Sequence, residues 1–190
     1  MSEPAWVPLG SAALAQGNAI GTVLPPSPVD GQRFILTDSL TAPTYAWNLI
    51  YVAAKASNRW VCVGGSPAVS EVLTSETTAS TSYVDLATVG PQFTVPVAGD
   101  YIYVGSCWLA TSTAGQFAQA ALKVGAAAAS DDDAMLATSS AANTLTTTSK
   151  TRKLSGVAAS ALLKMQYKVG AGTGTFIRRV LMVTPVALGG

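Results

Sequence analysis

The sequence contains no histidine, and it has only two cysteines among its 190 residues. Without histidine, the commonest general base and metal ligand of proteins is missing. Cys62 and Cys107 both lie in apolar, strand-like runs, so we expect two buried free thiols rather than a disulfide. We therefore expect no catalytic residues, no bound metal and no cofactor.

Charge is also scarce, and it is unevenly distributed along the chain. Charged residues make up 11% of the sequence, whereas globular domains average about 25%. Residues 1–133 contain all ten acidic residues, while the charged residues of 134–190 are all basic. The basic half is either a tail for nucleic acid or a set of strands that interleave with acidic strands, within one sandwich or across a subunit boundary. Apolar, strand-like runs separate the basic residues, which favours basic strands that interleave with acidic ones. We therefore expect no nucleic-acid partner.

Long apolar runs are absent as well. The large apolar residues form strand-sized runs, and none approaches the roughly 20 residues of a membrane-spanning helix. The first residues, M-S-E-P-A-W, lack the basic and apolar regions of a secretory signal. We expect a soluble protein that is made without a signal peptide and has no membrane partner.

The most informative stretch is residues 93–103, F-T-V-P-V-A-G-D-Y-I-Y, which predicts a sharp corner between two strands. Pro96 cannot donate to a strand ladder, Gly99 supplies a free backbone dihedral, and the chain from Tyr101 onward is aromatic and β-branched. The pattern F-x-V-P-x-x-G-x-Y-x-Y resembles the corner in jelly-roll domains of the complement globular-head and tumour-necrosis-factor type, which also occur on bacteriophage fibres and spikes. The resemblance covers about residues 69–186 and implies a trimeric, non-catalytic interaction domain.

Strand-like runs fill the rest of this region, and Gly and Pro at residues 64–67 mark a boundary before it. We expect an all-β protein in which a small N-terminal β-meander precedes a jelly-roll β-sandwich. The predicted divisions are an extended arm at 1–28, a docking module at 29–65 and the jelly roll at 70–187. The expected strands after the boundary are 72–78, 83–88, 93–95, 101–109, 116–124, 144–154, 161–169 and 175–186.

The strand at residues 101–109 is apolar on both of its faces. Such a strand is covered on both sides, either by a sandwich interior plus a neighbour or by an oligomer interface. Tyr101, Ile102, Tyr103 and Trp108 are therefore the candidate residues of a homotrimer interface.

Residues 1–28 are broken by five prolines, so we expect an extended arm that becomes ordered by lying on a partner. Trp6 and Val7 are its candidate anchors, and a disordered tail is the alternative.

Three strand-like runs, 33–37, 45–52 and 59–63, follow the arm. The pattern D-G-Q-R-F-I-L-T-D…Y-A-W-N-L-I-Y…R-W-V-C-V-G-G resembles a small module near the N-termini of phage tail and fibre proteins. The alternating aromatic residues of the second run favour a hairpin core, with a carbohydrate platform as the alternative. Trp47 and Trp60 are the candidate docking residues of this module.

Asp131, Asp132 and Asp133 are adjacent, and they lack the alternating ligands and Gly turn of a calcium-binding loop. We expect a solvated loop tip.

No catalytic constellation assembles from these residues, although paired carboxylates for glycoside cleavage are invisible in a sequence. The sequence therefore predicts a non-enzymatic virion protein of a bacteriophage. It is expected to be a trimeric fibre, spike or capsid-decorating component that docks on capsid, portal, collar or tail proteins and meets a host-surface glycan or receptor. The alternative is a receptor- or carbohydrate-binding jelly-roll module of a cellular protein.

Overall fold

A computed structural model describes residues 18–138 and 140–189 of the protein. These residues form two β-sheets, one of nine strands and one of four, which enclose a common core. The only helical segment in the described part of the chain is a short 3-10 turn at Asp131–Asp133. The predicted all-β sandwich is confirmed.

The large sheet is organised around its last strand, β13 (Gly174–Leu188). One edge of β13 pairs with β8, and its other edge pairs with β4, β5 and β6 at successive positions. The remaining strands are β1 (Ala19–Gly21), β2 (Arg33–Thr37), β3 (Ala46–Tyr51), β4 (Trp60–Ser66), β5 (Ala68–Val72), β6 (Glu76–Thr78), β8 (Gly99–Thr111) and β11 (Thr146–Val157). The strand order is β1-β2-β3-β4-β13-β8-β11, and only the β1–β2 pair is parallel.

The small sheet has the order β10-β9-β12-β7. Its strands are β7 (Gln92–Thr94), β9 (Phe117–Val124), β10 (Ala134–Thr138) and β12 (Leu162–Val169). All its pairs are antiparallel.

The core lies between the sheets and is built from residues at alternate positions of each strand. In β12 every second residue from Leu163 to Val169 is buried, and in β8 the odd-numbered residues from Tyr101 to Leu109 are buried. A side chain as large as Tyr101 or Leu163 contributes about 1.5–3 kcal/mol when it is fully buried. Alternation along these strands therefore produces most of the stabilising burial.

The corner predicted at residues 93–103 is present between β7 and β8. The Tyr101 hydroxyl donates to the Val97 carbonyl at 2.5 Å, which fixes the turn from within. The reason for Gly99 differs from the prediction, because its φ is not in the left-handed region. A Cβ at Gly99 would lie 2.3 Å from the carbonyl oxygen of Ala187, so glycine is required by close approach of β13.

Two strand predictions were wrong. Residues 83–88 form only an isolated bridge, Val84 with Tyr167, and residues 72–78 divide into the end of β5 and β6. Strand β10, in a low-complexity segment, and the short β1 of the arm were not predicted. Ala-rich and three-residue strands have too little apolar alternation to be recognised.

The predicted boundary near residues 64–67 falls between β4 and β5, which both pair with β13. Trp47 from the N-terminal meander packs its ring edge-on to Phe93 and Tyr101, at centroid distances of 6.1 Å each. The two regions thus share one core. Whether residues 29–65 and 70–187 fold separately stays a prediction.

The fit of Gly99 against β13 generates a test with a matched control. Gly99→Ala is expected to lower the free energy of unfolding by about 1–3 kcal/mol, because backbone atoms of β13 must move. Gly105→Ala, whose Cβ would meet the flexible end of Met135 at 3.2 Å, is expected to cost under about 1 kcal/mol. Urea unfolding of both variants measures the difference, and equal losses would contradict the close-approach argument.

Candidate interaction surface

The large sheet has one face turned away from the core, made by strands β5, β13, β8 and β11. We call it the outer face. Val69, Met182, Val104 and Thr151 are aligned across these four strands as register partners. Because side chains alternate along a strand, these residues point opposite to the buried Leu181, Val183 and Tyr103.

The outer face is apolar and poor in charge. Val69 is 55% exposed and Ile102 is 40% exposed, while Val104 and Met182 are half-buried. Its charged residues are few: Glu71 on β5, Lys153 on β11, which pairs with Asp100 at 2.9 Å, and Arg178 on β13. A sheet face open to water usually carries polar side chains, so this face has the composition of a contact surface.

The trimer-interface candidates separate into two pairs. Ile102 lies on the outer face, and the half-buried Trp108 lies on the same side of β8. Tyr101 and Tyr103 are 0% and 1% exposed inside the chain's own sandwich, so their assignment as interface residues was wrong. The prediction missed Val69, Val104 and Met182, since only the cross-strand register shows that they adjoin.

The docking candidates Trp47 and Trp60 are also buried, at 0% and 3% exposure. Trp47 stacks on Tyr45 at a centroid distance of 4.1 Å, and Trp60 packs edge-on to Tyr51 at 5.3 Å. The interpretation of the aromatic stripe as a core is confirmed, and both tryptophans are wrong as surface contacts. Trp6 and Val7 lie outside the described residues.

Two adjacent arginines of β13 support the outer face and the core respectively. A register shift between Ile177 and Val180, with Arg178 at φ 48°, turns Arg178 outward and Arg179 inward. Arg178 lies over the Trp108 ring at 4.6 Å from its centroid. It covers the aromatic surface while keeping its charge exposed.

Arg179 is fully buried and holds the segment between β5 and β7 against the sandwich. One terminal nitrogen contacts Glu76 Oε2 at 2.7 Å, and the other donates to the Thr88 carbonyl at 3.3 Å. Burial opposes ionisation of Glu76, but hydrogen bonds from Thr88 and the charge of Arg179 outweigh it and lower the pKa of the carboxyl. The Glu76 carboxyl is therefore ionised at neutral pH.

Basic residues of the C-terminal part of the chain form ion pairs with acidic residues of the N-terminal part. Five ion pairs occur in the described residues, and each joins a base from 134–190 to an acid from 1–133, which confirms the predicted interleaving. They are Arg152–Asp133, Lys153–Asp100, Lys164–Asp85, Lys168–Asp131 and Arg179–Glu76.

The acidic triplet is more ordered than the predicted loop tip. Asp131 bonds Lys168 at 2.7 Å and accepts from the Tyr83 hydroxyl at 2.8 Å, while Asp133 pairs with Arg152. These bonds tie the 3-10 turn to one strand of each sheet. Nowhere in the described ranges do three His, Cys, Asp or Glu residues form a group that could hold a metal ion.

Both cysteines are free, as predicted, but only Cys107 is buried and Cys62 is half-buried. Burial raises the pKa of the Cys107 thiol to about 12. Neither thiol therefore has the depressed pKa of a reactive cysteine. No helix in residues 18–138 and 140–189 is long and apolar enough to cross a membrane.

Among the surface grooves of the described residues, two are of similar volume. One, of about 530 Å³, lies beside the β-bulge of β11, where its basic residues Arg152 and Lys153 are already paired with acids. The other, of about 490 Å³, lies between the β2–β3 turn and β7.

No protein-family model matches the chain, and no curated protein matches it. Among solved structures, one similar chain is the Clostridium thermocellum N-terminal endo-1,4-beta-D-xylanase 10B, comprising CBM22-1 and GH10 modules complexed with xylohexaose. The two are 9% identical with a TM-score of 0.32, and the match covers 85% of this chain and 26% of that chain. This protein thus spans about a quarter of the xylanase chain, and a TM-score of this size carries no argument about function.

The adjacent arginines provide a paired test. Arg179→Met is expected to lower the free energy of unfolding by about 3–5 kcal/mol, because Glu76 and two carbonyls lose a buried partner. Arg178→Met keeps the apolar contact with Trp108 and is expected to cost under about 1 kcal/mol. Urea unfolding at pH 7 measures both, and similar losses would show that Arg179 is not the anchor.

Proposed function

We propose that this protein is a non-enzymatic structural subunit of a bacteriophage virion that assembles as a homotrimer through its outer face. The observation that carries the proposal is the apolar, charge-poor outer face on a sandwich whose interior is already filled. The core is already occupied by Tyr101, Tyr103 and Leu181. It therefore cannot bury the apolar side chains of the outer face, which are Val69, Ile102, Val104 and Met182. Burial against another chain stabilises such a surface.

Two charged residues of the outer face favour further copies of this chain as the partner. Glu71 on β5 and Arg178 on β13 form no ion pair within the described residues, whereas Lys153 on β11 is already paired with Asp100. A rotation between copies brings Glu71 of one subunit towards Arg178 of the next. Such head-to-tail contacts close into a ring when the rotation is cyclic, as in a trimer.

The virion role rests on the sequence resemblance of residues 25–65 to modules of phage tail and fibre proteins. With Trp47 and Trp60 buried, docking on capsid, portal, collar or tail proteins falls to the arm at residues 1–28. Its described part exposes Ile20 and Val23 at 54% and 76%. Apolar side chains that remain open on an extended arm are suited to a partner surface.

Self-association is tested by light scattering at micromolar concentration. The expected mass is three times 19.3 kDa, and Val104→Lys is expected to give a monomer because it places three charges in the contact. Leu136→Lys, which changes a 48% exposed residue on the small sheet, is the control and should remain trimeric. A monomeric wild-type protein, or a trimeric Val104→Lys variant, would contradict the proposed interface.

The virion assignment is tested by immunogold electron microscopy of phage particles whose genome encodes this chain. Label on the particle is expected for the full chain, and loss of label without loss of the trimer is expected when Ile20 and Val23 are both changed to Asp, which leaves the backbone pairing of β1 with β2 in place. Particles that carry no label with the full chain would refute the virion role. Labelling that survives the double substitution would move docking away from this part of the arm.

A further inference from the structure

The groove between the β2–β3 turn and β7 is lined by residues of the N-terminal meander and of the small sheet. Tyr45 and Asp38 come from the N-terminal meander, while Gln92, Phe93 and Thr94 come from the small sheet. The Tyr45 and Phe93 rings meet edge to face, with centroids 5.9 Å apart and an interplanar angle of 78°. They give the groove an apolar floor at the point where the two regions join.

Tyr45 is the unusual member of this set. Its side chain stacks on Trp47 and only 5% of the residue is exposed, yet its hydroxyl makes no hydrogen bond to any described residue. Burial and the negative charge of Asp38 raise the pKa of Tyr45 to about 12, so the hydroxyl keeps its proton. The hydroxyl oxygen is not among the buried polar atoms that lack a partner, so it reaches the surface of the groove and can donate to a ligand there.

The rest of the lining supplies fixed polar groups around that donor. Asp38 accepts from the Thr44 backbone at 2.9 Å and from the Thr44 hydroxyl, which holds the carboxylate in place and leaves it with accepting capacity. The Gln92 side chain is exposed and makes no hydrogen bond within the described chain, while its backbone is fixed by Ser70 at 3.1 Å. Both hydrogen-bond donors and hydrogen-bond acceptors therefore line the groove.

The charge of the groove limits its ligand. None of the described residues that line it is Lys or Arg, and its one ionisable acid is Asp38. Anionic ligands such as phosphates or sialylated sugars would meet a carboxylate with no cation to balance it. A volume of about 490 Å³ lies within the range of small-molecule sites.

We infer that this groove is a binding site for a neutral saccharide, with its ring on Phe93 and its hydroxyls on Tyr45, Asp38 and Gln92. Aromatic floors with a few convergent polar groups suit a ring that is apolar on its face and polar at its edge. None of the outer-face residues named above lines the groove. The inference is therefore independent of self-association.

The test applies the full-length protein to an array of neutral, sialylated and sulfated oligosaccharides, followed by calorimetric titration of the strongest neutral one. Binding to neutral glycans is expected. Tyr45→Phe and Gln92→Ala are each expected to weaken it about five- to tenfold with unchanged thermal unfolding, since neither side chain bonds to the described chain. Tyr51→Phe removes a hydroxyl outside the groove, which accepts from Arg59 at 3.2 Å; this variant is the control and should bind like wild type.

Two outcomes would overturn the inference: no neutral glycan bound above the blank, or full affinity in both groove variants. Binding confined to anionic glycans would also do so. The monomeric Val104→Lys variant is expected to keep the wild-type affinity per site. Failure of the trimer and failure of the saccharide site are thus read from separate measurements.

Discussion

The structure depends on the pairing of β13 with its neighbours on both sides. This strand of 15 residues pairs with β8 along nearly its whole length and with β4, β5 and β6 on its other edge. All these partners lie well before β13 in the sequence, so the pairing is non-local. Such non-local pairing makes folding slow, because the entropy of closing long loops is lost before the contacts form.

The bulge in β13 shows how one local irregularity serves both faces of the sheet. Regular alternation from the buried Phe176 would turn Arg178 inward and Arg179 outward, but the extra residue reverses this order, so Arg179, Leu181 and Val183 face the core. Arg179 then reaches Glu76 and Thr88, which anchors a segment with little regular structure of its own. Arg178 remains available to the outer face.

The sequence allowed the fold class and most strands to be predicted, since alternating apolar residues in β2, β8, β12 and β13 carry a strong signal. It also showed that β8 is apolar on both faces. It could not show which face lies inside, because Tyr101 and Ile102 are equally good candidates until the small sheet is placed against one face of β8. Tyr101 lies on the side of β8 that faces the core, where its hydroxyl bonds to the Val97 carbonyl.

The pairs that assemble the sites were beyond sequence reasoning for a related reason. Glu76 and Arg179 are separated by 103 residues, and Tyr45 meets Phe93 only because β3 continues the large sheet while β7 closes the small one. Aromatic alternation in β3 correctly indicated a core, but the hydroxyl of Tyr45 at the rim of that core has no signature of its own. Whether that hydroxyl reaches the surface depends on how the two sheets pack, which the sequence pattern does not show.

The two proposed surfaces have a joint consequence that neither has alone. A single open groove with two aromatic rings and a few polar groups binds a sugar weakly, because much of the ligand stays in water. A closed trimer presents three such grooves at fixed separation, and linking weak sites raises the overall avidity by about 10²–10⁴ when the geometry allows simultaneous contact. Repeating glycans on a cell surface meet that condition more readily than free sugars, so oligomerisation through the outer face would favour surfaces over soluble competitors.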